Sequence, residues 1–113
     1  MNIREEIAGK IQGDILDSPE IIRRYSRDTS IFTRTPSLVV APKNADDISA
    51  LVKIVAEKKA AGENVSLTGR SAGTDMSGGS LTDSIVVSFT EHMNSLVALR
   101  DTEADVEPGM YYR

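Results

Sequence analysis

Between the apolar runs "VSL" and "SIVVSF" the chain carries "GRSAGTDMSGG", residues 69–79. Gly69, Gly73, Gly78 and Gly79 admit positive φ and close approach of another group to the backbone, while Ser71, Thr74 and Ser77 add hydroxyl donors. Successive backbone N–H groups in such a turn form a concavity suited to an anion, and Arg70 adds a full positive charge. Phosphate is the natural guest of that chemistry. The stretch has neither the Gly-Lys-Ser/Thr ending of a P-loop nor a G-x-G-x-x-G dinucleotide turn. The residues after Gly79 turn β-branched and apolar, so the loop is expected to run from strand to strand, with no helix dipole aimed at a ligand. A Gly-rich hairpin or crossover without any ligand is the plain alternative. Its length favours function, because loops in compact domains have a median of about 4–6 residues.

Little else in the chain is equipped for chemistry. His92 is the only histidine and reads as a surface or turn residue, since no nucleophile or acid is tied to it in sequence. There is no cysteine, which excludes disulfides, thiolate metal sites and cysteine nucleophiles, and one histidine makes a poor metal site. Asp101, Glu103, Asp105 and Glu107 alternate with other residues, so a strand would set all four on one solvated face. They lack the glycine-centred loop of a calcium site. Lys53, Glu57, Lys58 and Lys59 read as a wet helix face, and Met93 and Asn94 as a turn. A net charge of −4, no basic block, and only two Phe and three Tyr argue against a nucleic-acid partner. The opening "MNIREEIAGK" lacks the apolar core of a signal peptide, and no apolar stretch is long enough to span a bilayer, which together predict a cytoplasmic protein.

The 113 residues make one domain or part of one, with a 40% hydrophobic fraction and a core left to Leu, Ile and Val. Ile3, Ile7, Ile11 and Ile15 recur every four residues, which predicts a thin amphipathic helix over 3–15. "DSPEIIRRYS" offers Asp17 or Ser18 as N-cap, with Pro19 in the first turn of a second helix. "SRDTSIFTRTP" has no period and reads as an extended crossing. "SLVVAP" reads as a buried strand stopped by Pro42. A helix capped by Asn44 then places Ile48, Leu51, Val52, Val55 and Ala56 on its apolar side and stops at Gly62. "NVSLTG" follows as a strand, and strand–helix–strand order predicts a right-handed βαβ unit with parallel pairing. After the loop, "SIVVSF", "EHMNSLVAL" and "DTEADVEPG" supply further strands. The fold class expected is α+β: a helical lead-in over 1–36, then a βαβ unit, the loop and the first strands of a second layer over 37–109.

Three stretches, "YSRDTSIFTRTPSLVVAPKNADDISALV", "SLTGRSAGTDMSGGSLTDSIVVSFTEHMNSLV" and "DVEPGMYYR", resemble in order the amino-terminal half of the FAD-binding domain of FAD-linked oxidases. That PCMH-type group includes D-lactate dehydrogenases and glycolate oxidase flavoprotein subunits. The resemblance implies an FAD site. Arg70, Ser71, Ala72, Gly73 and Thr74, entered from Gly69, would form the first half of a pyrophosphate cradle, and Ser77, Gly78 and Gly79 the second. Pro42 would lie near the adenine end, and Pro108 and Gly109 match a Pro-Gly that closes the next strand beside the cofactor. Thr74 stands where some relatives attach FAD through a histidine, which implies non-covalent FAD. Ser71 and Ala72 replace common glycines, and Asp75 is expected to turn its carboxylate away from the phosphates towards amides of its own loop.

By the same resemblance, the parent activity is oxidation of a small 2-hydroxy acid such as D-lactate, glycolate or 2-hydroxyglutarate, with hydride passing from the α-carbon to the flavin. The second half of the cofactor site and the catalytic base would follow this region, so this chain is expected to contribute pyrophosphate anchoring but, alone, to bind FAD weakly or not at all and not to turn over substrate. A peripheral place at the inner membrane is compatible with the longer protein. The alternatives are a module for another phosphate-bearing ligand, or a non-catalytic protein that self-associates through an exposed apolar face.

Overall fold

The computed structural model describes residues 2–111. Its elements run α1 (Ile3–Ala8), β1 (Asp14–Leu16), α2 (Pro19–Arg24), β2 (Leu38–Ala41), α3 (Ala45–Ala60), β3 (Leu67–Arg70), β4 (Ile85–Ser88), β5 (Leu96–Leu99) and β6 (Ala104–Val106). Four strands form a mixed sheet in the order β1-β2-β4-β3, and β5 and β6 form a separate antiparallel pair. The class is α+β, as expected. The closing Tyr112 and Arg113 of the "DVEPGMYYR" motif lie outside the described residues.

Within the sheet, β4 lies between β2 and β3 and is parallel to both, with Val39 opposite Val86 and Arg70 opposite Ser88. The βαβ unit is therefore present, but its two strands do not pair with each other. The route through α3 leads past one strand position, and the chain returns through residues 71–84 to fill the gap. Two right-handed connections that travel in opposite directions must use opposite faces of the sheet. One face is covered by α3, whose Leu51, Ile54 and Val55 join Leu38, Val40, Ile85 and Val87. On the other, Tyr25 of the α2 region packs with Val39 and Val86.

The four-residue repeat of isoleucines does not make one long helix. Helix α1 ends at Ala8, and Asp14–Leu16 joins β2 antiparallel, with Ile15 opposite Val40. Gly13 lies so close to the carbonyl of Ala41 that a Cβ would overlap it, and the Gln12 and Gly13 amides donate to Asp47. Ile3, Ile11 and Ile15 still reach the α3-side core, so the repeat reports burial by a helix followed by an edge strand.

Asn44 caps α3 as predicted, accepting from the Asp47 amide at 3.0 Å. At the far end Gly62 has φ +91, and the Glu63 amide bonds back to Lys58 and the Gly62 amide to Lys59, a Schellman closure. The buried stripe is rotated from the one expected: Leu51, Ile54 and Val55 are buried, whereas Val52 and Ala56 are exposed. The acidic row near β6 does not form one free face either. Arg100 pairs with Asp105 at 2.6 Å and Glu103 at 4.0 Å, and Glu107 accepts the Ser95 amide at 3.0 Å, because the hairpin brings cationic and amide donors to these carboxylates.

Asp47 ties the lead-in to the rest. It is 3% exposed and accepts the amides of Gln12, Gly13 and Lys43 at 2.9, 2.9 and 2.8 Å. Burial pushes its carboxyl up, but the three amide donors outweigh that and hold it below the ordinary value. The stability it contributes is complete above the unfolded value of about 3.9 and is lost as pH falls through the lower folded value. Asp47→Asn is expected to cost about 3 kcal/mol near neutral pH, because charge-assisted bonds to buried amides are lost. It should also flatten the acid limb of stability against pH, and urea midpoints between about pH 6 and 2 check both.

Candidate functional site

The carboxyl ends of the three parallel strands share one edge, which in open α/β sheets is where ligands bind. Pro42 follows β2, Ser71 follows β3, and Phe89 and Thr90 follow β4. The loop expected from the glycines is the β3–β4 connection, and its length has a topological reason: parallel strands cannot be joined by a tight turn. It crosses the sheet face without forming a helix.

Its backbone is open to a ligand. Among the described residues, no amide from Ser71 to Ser80 donates a hydrogen bond to the protein, and the hydroxyls of Ser71, Thr74 and Ser77 have no protein partner. Gly73 has φ +71 and Gly78 φ +79, where other residues are strained. A Cβ on Gly73 would also overlap the Arg70 guanidinium, and one on Gly78 would press on Phe32 at 3.0 Å.

The first half of the predicted cradle lines an open cleft of about 440 Å³, where Arg70, Ser71 and Ala72 meet Arg24, Tyr25, Thr90 and Glu91. Ser77 and Gly78 line a separate hollow of about 310 Å³ with Phe32, Thr33 and Arg34. These parts of the two halves thus face different concavities, and Gly73, Thr74 and Gly79 line neither of them. Gly79 is exposed, and Gly69 sits in the edge strand with the Phe89 ring 3.1 Å from where its Cβ would be. Pro42 is buried on the same edge, across β4 from the loop and so roughly 10 Å away at ordinary strand spacing. Gly109 packs against the Phe89 carbonyl so closely that a Cβ would overlap it, and its amide donates to Met93 at 2.8 Å.

Charge is uneven along the loop. Arg24 and Arg70 lie at the first half, with Arg24 3.9 Å from Glu91. Asp75 lies at the second, its carboxylate 3.8 Å from the position of a Gly79 Cβ and in no hydrogen bond to its own loop's amides. The bond expected there is absent because the side chain points to solvent while the backbone carbonyl is used, accepting the Thr29 hydroxyl at 2.8 Å. An anion is better accommodated at the arginine end.

Sequence reasoning missed the segment beneath the loop. Asp28 accepts from the amide and hydroxyl of Ser30 and, at 3.4 Å, from the Ser80 hydroxyl. The Ser30 hydroxyl above all, with the Ser30 amide, Ser80 and the Arg70 charge, holds the Asp28 carboxyl below its ordinary value against an upward push from burial. The aperiodic "SRDTS" carried a signal of its own in the turn-forming Asp28 and Ser30. His92 is held by Asp14 at 2.7 Å and is remote from the loop in role. No group of three or more His, Cys, Asp or Glu suited to a metal exists among the described residues.

The profile of the family described as "FAD binding domain" matches residues 36–113, more than half of the chain. The chain belongs to that family. It is 38% identical over 76 residues to a D-2-hydroxyglutarate dehydrogenase of Pseudomonas putida, covering 67% of this chain and 7% of that protein. It is 32% identical over 90 residues to the glycolate oxidase subunit GlcD of Bacillus subtilis, covering 76% and 18%. This FAD binding domain chain therefore spans less than a fifth of the length of these relatives.

Among solved structures, the xylooligosaccharide oxidase of Myceliophthora thermophila C1 superposes with a TM-score of 0.72 at 20% identity, covering 99% of this chain and 24% of that one. The glucooligosaccharide oxidase of Acremonium strictum, described with a 6-S-cysteinyl, 8α-N1-histidyl FAD, superposes at 0.69 and 16% identity, covering 97% and 23%. Both show the fold, that of PCMH-type FAD-binding oxidases.

The open amides and free hydroxyls, with Arg24 on the same cleft, make a donor set that fits a diphosphate, so the residues present suit FAD. Gly73→Ala should destabilise the chain by about 1–2 kcal/mol through the positive φ, and it must also push the Arg70 guanidinium off its place against Tyr25. Gly79→Ala, with open surroundings and no positive φ, should be near neutral. Thermal unfolding of the two variants makes the comparison.

Proposed function

We propose that the chain is the amino-terminal FAD-binding portion of a flavin-dependent oxidoreductase acting on a small 2-hydroxy acid, and that it contributes the FAD pyrophosphate loop. The observation that carries this is the run of unpartnered amides from Ser71 to Ser80 at the carboxyl edge of a parallel sheet. On this reading Gly69–Thr74 holds one part of the diphosphate, Ser77–Gly79 closes over the other, and Pro42 packs toward the adenine end. FAD bound here supplies the hydride acceptor for the α-carbon of the hydroxy acid.

The relatives named for D-2-hydroxyglutarate and glycolate support the substrate class. Thr74 has no ring nitrogen to attach a flavin, and the chain has no cysteine, so FAD is held non-covalently by these residues. No helix among the described residues is long and apolar enough to cross a membrane. In this proposal the chain acts on the cofactor and carries no catalytic base.

A titration of FAD into the 113-residue protein, followed by flavin fluorescence, tests the reading. Weak saturable binding is expected, since half of the cofactor's contacts lie outside the chain, and Gly73→Val should weaken it at least about tenfold, because the branched side chain is strained at the positive φ and crowds the loop. Binding that survives Gly73→Val unchanged would remove the loop from the site. Equal affinity for ADP and FAD would instead favour a general nucleotide-binding module.

A second reading has its own observation. Leu96, Val97, Leu99 and Val106 on the β5–β6 hairpin are 47–75% exposed, an unusual apolar surface for so small an element. Self-association through this hairpin predicts a mass that rises with concentration and returns to monomer in Val97→Lys with Leu99→Lys. A concentration-independent monomer mass for the unaltered chain ends that reading.

A further inference from the structure

Arg70 invites assignment as a phosphate ligand, yet its guanidinium is engaged within the protein. It donates from Nη1 to the Tyr25 carbonyl at 3.4 Å, stacks on the Tyr25 ring at 5.0 Å, and lies directly under Gly73. Tyr25 is itself fixed: it is 5% exposed, and its hydroxyl shares a 2.8 Å hydrogen bond with buried Ser88 at the end of β4. The neighbouring residues reach the same loop from below. The Thr29 amide donates to the Gly73 carbonyl at 3.2 Å, the Thr29 hydroxyl donates to the Asp75 carbonyl at 2.8 Å, and Asp28 accepts from Ser80 at 3.4 Å.

These contacts share one property: they use carbonyls and side chains of the loop and leave its amides untouched. We propose that Tyr25, Asp28, Thr29 and Arg70 form a brace that sets the β3–β4 loop before the cofactor arrives, with carbonyls turned down into the protein and amides turned out. Arg70 is then a positioning residue of the brace rather than a phosphate ligand. The inference rests on the FAD reading for the identity of the guest, but the brace itself is a property of the ligand-free chain. A loop that is ordered in advance loses less conformational freedom on binding, which raises affinity without any added contact.

The test uses backbone amide order parameters and FAD titration on the same samples. In the ligand-free chain, Gly73 and Asp75 should give order parameters near the rigid value of about 0.85. In Thr29→Val, which keeps the shape and loses the hydroxyl, they should drop towards about 0.6 while the core amides of Val39 and Val86 stay rigid. Thr29→Ser should restore them. FAD affinity should fall about tenfold in Thr29→Val and recover in Thr29→Ser.

Arg70→Lys separates the two roles of the arginine. It keeps the charge but loses the planar fork and the stacking, so the brace predicts that it loosens Gly73 as much as Arg70→Met does. Full order and affinity in Arg70→Lys would make Arg70 a charge ligand and overturn its place in the brace. Unchanged order parameters in Thr29→Val would overturn the brace as a whole. If Thr29→Val loosens the loop in a chain that binds no FAD, the brace stands without support from the cofactor reading.

Discussion

The parallel placement of β4 between β2 and β3 governs the rest of the molecule. Ile85, Val86, Val87 and Ser88 are all buried, so this strand must be covered on both faces and paired on both edges. Parallel pairing on both sides rules out tight turns and requires two crossings, one through α3 and one through residues 71–84. The second crossing is the Gly-rich loop. Its length and its start at the carboxyl edge are consequences of sheet topology as much as of ligand chemistry. A single buried hydroxyl, Ser88, interrupts the apolar strand where the edge begins, and Tyr25 satisfies it.

The lead-in is part of the same construction. Through Asp47 the chain before β1 is anchored to the first turn of α3, and through β1 it extends the sheet beyond β2. Three amide donors converge on one carboxylate there, whereas in the β3–β4 loop many amides converge on nothing within the protein. Buried amides are almost always paired, whereas Ala72, Thr74, Asp75, Met76, Ser77 and Gly79 of the loop are exposed and their amides stay open. One set completes the fold and the other remains for a guest or for water.

Much of this was legible in the residues. Asn44, Asp46, Asp47 and Gly62 mark the ends of α3 because helix termini have local chemical requirements that neighbouring residues meet. Pro42 and the β-branched runs mark the strands for similar reasons. The order of strands in the sheet was not legible, since βαβ connectivity fixes handedness and direction but not which strand becomes the neighbour. The long first helix failed for a related cause. A spacing of four apolar residues satisfies a helix, but Gly9 and Gly13 release the chain, and the strand that follows buries the same side chains. In the loop, residue types pointed to an anion, while the division into two hollows and the inward turn of Arg70 depend on contacts with a segment forty residues earlier, which no local pattern announces.

An anion-binding loop that opens a helix draws on the aligned dipoles of the first turn, which hold the amides in place as a by-product of helix formation. The β3–β4 loop leads into a strand and has no such support. Its amides can act together only if something else fixes their orientation, and glycines at positive φ make that harder by widening the range of conformations open to the free chain. The segment from Tyr25 to Phe32 is placed to answer that need, because it lies against the carbonyl side of the loop at Gly73 and Asp75 and against the glycine at 78. The aperiodic stretch between α2 and β2 therefore belongs with the loop as one functional unit, and the irregularity that hides it in the sequence is what lets it follow the loop's underside.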